Sequence, residues 1–245
     1  MFPIKDENPT EIRPYSTIIL IIINFFIFIF QISLNQSDQY NLIMNYGFKP
    51  DHFFSLNTND YYNVPSALTM LSSMFLHGGV LHLLGNMLFL WIYGNNIEDS
   101  MGHMKFLIFY VSCGVAAALL QAMVSPNSST PMIGASGAVS GVLSAYFLLF
   151  PKARVLTLVV LFFFITFFHI PAGILIGFWF LSQITNAYFS DPGSPGVAWY
   201  AHIGGFFMGL ILIPFFKKKE FKFFSSGMKN VNSKKIKKIS LRFRK

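Results

Sequence analysis

Charge is what this chain lacks. Only 11% of its 245 residues are Asp, Glu, Lys or Arg, where a soluble domain carries about 25%. The shortage is uneven: residues 217–245 hold 12 Lys/Arg and Glu220, while residues 1–216 hold only 6 Lys/Arg and 9 Asp/Glu. Such a chain cannot cover a globule with a wettable surface, which excludes a soluble enzyme. Disorder is excluded by the opposite excess, 53% hydrophobic and 18% aromatic, because disordered chains are charge-rich and poor in apolar residues. Cysteine is nearly absent. The one present, Cys113, permits no internal disulfide and no cysteine-based metal site. There is no repeat of fixed period. The first apolar run follows Asp6, Glu7 and Glu11 rather than a basic segment, so it reads as a retained anchor, not a cleaved signal.

What is present is a series of long uncharged stretches. A helix needs about 20 apolar residues to cross a hydrocarbon core about 30 Å thick. The charge-free gaps are 14–37, 61–97, 106–151, 155–190 and 192–216. The third is broken by Ser125-Pro126-Asn127-Ser128-Ser129-Thr130-Pro131, a loop signature, and so holds two spans. The gap 155–190 is ambiguous: it has room for one span plus a lipid-facing or re-entrant piece, or for two tight spans. Orientation decides. The basic tail belongs on the cytoplasmic side, as do Lys152 and Arg154, and only one span in that gap returns the tail there. The expectation is an all-α membrane protein with a six-helix membrane domain over 1–216. Its spans are about 15–34, 79–95, 105–124, 134–150, 169–188 and 199–216, with both termini cytoplasmic and a basic tail over 217–245. The tail reads as an orientation signal attracted to anionic lipid, not as a nucleic-acid binder.

Polar side chains inside spans are costly and point to function. His82 and Asn86 are spaced i, i+4, on one helix face. Ser136 lies in Gly134-Ala135-Ser136-Gly137-Ala138-Val139-Ser140-Gly141, where a Pro-bounded loop meets a helix. A helix N-terminus offers free N–H groups and a positive dipole end. His202 opens Ala201-His202-Ile203-Gly204-Gly205, and with Gly209 this forms a Gly-xxx-Gly packing face. The natural partner of one Gly-rich helix is the other, which brings His202 toward Ser136. In the six-span topology all four residues fall at similar depth on the outer side. A serine beside a histidine is a nucleophile with its general base, and neighbouring Asn and His donors suit an oxyanion. The bland alternative is structural polar contacts in a channel or transporter. Asn24, His169 and Asn186 read as structural contacts, and no acid is clearly placed to orient His202.

Four motifs together resemble the rhomboid intramembrane serine proteases of the six-helix bacterial type. They are Phe75-Leu-His77-Gly-Gly-Val-Leu-His82-Leu-Leu-Gly-Asn86, Glu98-Asp-Ser-Met-Gly-His103, Gly134-Ala-Ser136-Gly137 and Ala201-His202-Ile-Gly-Gly205. The resemblance covers about residues 65–216. It implies Ser136 as nucleophile and His202 as general base. It implies an oxyanion hole of His82, Asn86 and the Ser136 backbone N–H. His77 would stabilise a loop and Glu98 would hold the second span to its neighbour, while Gly134, Gly137 and Gly205 would support the site. Segment 35–78 would be a partly embedded first loop, and the fifth span would gate lateral substrate entry. The implied substrates are single-span membrane proteins met within the lipid bilayer, with no metal or organic cofactor. The implied setting is a bacterial inner membrane. Two positions depart from the pattern: Leu68-Thr69 where many members carry Trp-Arg, and Ser140 where many place an aromatic beneath the histidine ring. Two other readings remain. A proteolytically inactive client-binding relative would lack Ser136 or His202, yet both are present. A channel or transporter would carry charges near the midplane, where the spans have none.

Overall fold

The computed structural model describes residues 2–54, 64–161, 164–191, 193 and 196–227. Most of the basic tail (228–245) and part of the first loop (55–63) lie outside the described residues. In chain order the elements are strand β1 (Phe2–Asp6), helices α1 (Tyr15–Ser33), α2 (Gln36–Tyr46), α3 (Pro50–Phe54) and α4 (Ser66–Ser72), then a 3-10 turn Ser73–Phe75. Helices α5 (Val80–Met101), α6 (His103–Val124) and α7 (Ser136–Leu149) follow, then strands β2 (Arg154–Leu161) and β3 (Phe164–Pro171) and helices α8 (Ala172–Phe189) and α9 (Trp199–Phe216).

By length and composition α1, α6, α8 and α9 can each cross a membrane. Helix α4 with its 3-10 turn forms with α5 a pair bent by 85°, a fifth span if counted as one. Helix α7, at 14 residues, is a shorter apolar helix where the fourth span was expected. The chain is a multi-pass helical membrane protein. Helix α1 shows the logic of a bundle in lipid. Ile19, Ile22, Phe26, Ile29 and Phe30 are exposed on its outside, whereas Ser16, Thr17, Asn24 and Gln31 are buried against the bundle.

Helices α6, α7 and α9 pack most closely. A Cβ on Gly205 of α9 would overlap the carbonyl oxygen of Gly137 on α7, and one on Gly209 would meet the Gly141 backbone. The Gly-rich faces therefore join, and this register sets the distance between Ser136 and His202. At the far end of the bundle the buried Glu98 carboxylate ties α5 to α1. It accepts the N–H groups of Ser16 and Thr17 and the Thr17 hydroxyl, at 2.8, 2.8 and 2.7 Å, and it contacts His103 Nδ1. It thus satisfies donors that the first turn of α1 leaves without an acceptor.

The stretch after α7 departs from an all-helical expectation. Strands β1, β2 and β3 form an antiparallel sheet in that order. Arg154 pairs with Pro171 and Leu158 with Phe167. Val, Ile, Thr and Phe dominate the run and favour a pleated surface over a helix. Helix α8 starts only at Ala172, after Pro171 in extended backbone, so His169 lies in a strand rather than in the expected fifth span. The sheet's buried Asp6 accepts the Tyr146 hydroxyl at 2.9 Å. Pro3 and Ile170 line an apolar cavity of about 320 Å³ that Phe89 of α5, Leu143 of α7 and Trp179 of α8 also line. The sheet thereby closes the seam between α5 and α8 at the end of the bundle remote from Ser136.

Candidate functional site

The segment leading to Ser136 is pinned before the helix begins. Phe48 and Met132 exchange backbone hydrogen bonds at 3.0 and 2.7 Å, and Gly134 N–H donates to the Ser73 carbonyl at 2.8 Å. Gly134 has φ +123°, and a Cβ there would lie 2.7 Å from the His82 ring. Glycine is required on both counts. Ser136 is the first residue of α7, so its own N–H is among the donors without an intrahelical acceptor.

Ser136 Oγ lies 2.8 Å from His202 Nε2. The other ring nitrogen, Nδ1, is 2.8 Å from the amide oxygen of Gln183 on α8. Among the described residues the partner of this nitrogen is an amide and not an acid; Asp191 accepts the Gly193 N–H. His202 is flanked by Trp179 and Trp199, with ring centroids 6.0 and 6.1 Å away. These indoles stand beside the histidine in this chain, whereas Ser140 turns back to donate to the Ser136 carbonyl at 2.6 Å. At the other departure, Thr69 is buried and donates to the Ser66 carbonyl, while Leu68 is exposed.

Ser136, His202, His82 and Asn86 line one cavity of about 990 Å³, which reaches Phe89 of α5 and Trp179 of α8. Asn86 is buried, and its Nδ2 has no hydrogen-bond partner among the described residues. It is a donor facing a cavity that holds a serine and a histidine. His82 Nδ1 accepts the Gly78 N–H at 3.3 Å, and its ring meets that of His77 edge-on at 5.1 Å. His77 is fully buried. Its backbone N–H and carbonyl are both held by the side-chain amide of Gln31 on α1, at 3.2 and 2.7 Å.

The structure thus brings together Ser136, His202, His82 and Asn86, places Gly134, Gly137 and Gly205 around them, and leaves Glu98 at the opposite end. Asn24 and Asn186 make hydrogen bonds within their own helices, and His169 faces Glu7 at 3.3 Å. Sequence reasoning missed Gln31 and Gln183. The signal that could have found them is the one that singled out Asn24 and Asn186: an amide within an apolar span.

Fold and site together define a multi-pass helical membrane protein with a serine–histidine pair at a cavity between its helices. Residues 65–219 match the family described as the Rhomboid domain, and the chain belongs to the rhomboid family. It is 30% identical over 162 residues to the mitochondrial Rhomboid protein 1 of Saccharomyces cerevisiae, covering 64% of this chain and 44% of the relative. It is 32% identical over 105 residues to the chloroplastic Rhomboid-like protein 11 of Arabidopsis thaliana, covering 41% and 37%. It is 37% identical over 76 residues to the Rhomboid protease GluP of Bacillus subtilis, covering 31% and 14%. The chain spans less than half the length of each of these relatives.

Proposed function

We propose that the chain is an intramembrane serine endopeptidase, hydrolysing peptide bonds in or near the membrane-spanning helices of single-span proteins. The observation that carries this reading is the 2.8 Å contact between Ser136 Oγ and His202 Nε2 at a cavity lined by Asn86, whose Nδ2 has no hydrogen-bond partner among the described residues. In this mechanism Ser136 Oγ attacks the scissile carbonyl as its proton passes to His202 Nε2. The oxyanion is received by the Ser136 N–H, the Asn86 amide and His82. Collapse breaks the C–N bond, and His202 returns the proton to the departing amine. Water, deprotonated by His202, then releases the acyl group from Ser136. A peptide bond within a helix is shielded, so the substrate must unwind locally, which favours spans containing Gly or Pro.

The cavity and the apolar one beyond it both border α5 and α8, which supports entry of the substrate from the bilayer between these helices, with α8 as the gate. The basic excess after α9 supports an orientation with both termini cytoplasmic, and the setting we propose on the motif resemblance is a bacterial inner membrane. The spans over 1–216 act as one membrane domain, and residues 217–245 act as an orientation signal. The test is purified protein with a labelled single-span substrate. Wild type cuts and Ser136→Ala does not; equal cutting by both removes the reading.

A further inference from the structure

We infer that Gln183 is the positioning residue for His202, holding the ring in the tautomer and rotation that a base for Ser136 needs. This rests on the protease reading. A neutral imidazole carries one N–H, and the nitrogen facing Ser136 Oγ must be the one without it. The proton therefore belongs on Nδ1, which needs an acceptor. Gln183 Oε1 lies 2.8 Å from that atom.

The orientation of the amide is determined by its other contacts. Gln183 Nε2 donates to the Trp179 carbonyl at 2.9 Å and lies 2.8 Å from Ser182 Oγ. A flipped amide would set its oxygen against the Trp179 carbonyl and its NH₂ against the Nδ1 proton, two mismatches at once. The side chain is buried, only 4% exposed, within Ile174–Ile184, a run in which Ser182 and Gln183 are the only other residues with side-chain hydrogen-bonding groups besides Trp179. An amide kept there in lipid has to satisfy its polar atoms within the protein. It also orients the histidine without burying a second charge, whose desolvation would be large.

The contact crosses between helices. Gln183 and Trp179 belong to α8 and His202 to α9, and the two helices are clasped one turn away by Phe180 stacked on Phe206, with centroids 3.8 Å apart. Helix α8 borders cavities on its α5 side. Displacing α8 from α9 therefore removes the acceptor from Nδ1, so the base is aligned only while α8 is seated.

The test compares Gln183→Met, which keeps length but has no acceptor at that place, with Gln183→Glu, whose carboxyl, carrying its proton in this buried place, keeps an acceptor for Nδ1 and a donor for the Trp179 carbonyl. Rates on a single-span substrate are separated into kcat and KM, and ¹⁵N spectra of the histidine ring report the tautomer. The Met variant should lose about 10- to 100-fold in kcat, the scale of one to two lost hydrogen bonds, with KM within about twofold. Its His202 should no longer favour Nδ1–H, and the Glu variant should retain most of kcat. A Met variant with wild-type kcat and tautomer, or a Glu variant as impaired as Met, overturns the proposal. If Ser136→Ala cuts as well as wild type, the protease reading fails instead, and the ring spectra alone still decide whether Gln183 sets the tautomer.

Discussion

Gly205 of α9 lies so close to Gly137 of α7 that a single added carbon would overlap the Gly137 carbonyl oxygen. The two helices carry His202 and Ser136 three residues and one residue away from this contact. Their separation is therefore governed by side chains that are not there.

Gly205→Ala should push α9 from α7 and lengthen the contact between Oγ and Nε2. Overpacking of this kind costs about 1–3 kcal/mol. The expected outcome is a lower thermal transition in detergent together with at least about a tenfold loss of kcat, the scale of 1.4 kcal/mol in a barrier. Gly177→Ala on α8, whose added carbon would only touch Phe147 at 4.0 Å, should leave both nearly unchanged. Proteolysis assays and melting curves on the pair check this.

Asn86→Leu should keep the fold and remove a donor from the site. Loss of one oxyanion donor costs about 10²- to 10³-fold in kcat. The cut should slow by that factor with KM little changed, while labelling of Ser136 by a fluorophosphonate falls as well. Unchanged turnover would show that the amide serves only packing.

Glu98→Gln tests the other end of the molecule. The carboxylate accepts two backbone N–H groups and a hydroxyl from α1, and hydrogen bonds to a charged group are worth about 1.5–3 kcal/mol. The variant should melt earlier by an amount of that order, yet turn over normally below its transition. A kcat defect without loss of stability would contradict a purely structural role.

Burial pushes the Asp6 carboxyl up to about 6, the Tyr146 hydroxyl only partly opposing it. An acid whose folded value lies above its unfolded one is most stabilising when protonated. Its contribution is fully present below about pH 4 and is lost as pH rises through about 6. The difference is on the order of 2–3 kcal/mol. Asp6→Asn should therefore melt nearer to wild type at pH 4 than at pH 7.5, where the variant gains relative to wild type. A constant offset between the two melting curves across that range would refute the assignment.

Ser136, His202, His82 and Asn86 were legible because each is a polar residue in an apolar span and each belongs to a local motif. The pairing of α7 with α9 was legible because small residues at regular spacing have one economical use in lipid. Gln183 and Gln31 were not, since their meaning lies in partners 19 and 46 residues away, and one amide looks like another until its acceptor is known. The sheet was also hidden. An uncharged run rich in Val, Ile, Phe and Thr carries no period that separates a buried strand from a span, and only Pro171 marked where helix could begin.

That sheet also sets an order of events during biosynthesis. Strand β1 precedes α1 in the chain but pairs with Val155–Leu158, and Asp6 meets a tyrosine 140 residues later. Contacts so distant in sequence form late. Strand β1 must therefore wait until α1 through α7 and β2 have been made, and the closure of the seam between α5 and α8 waits on α8 as well.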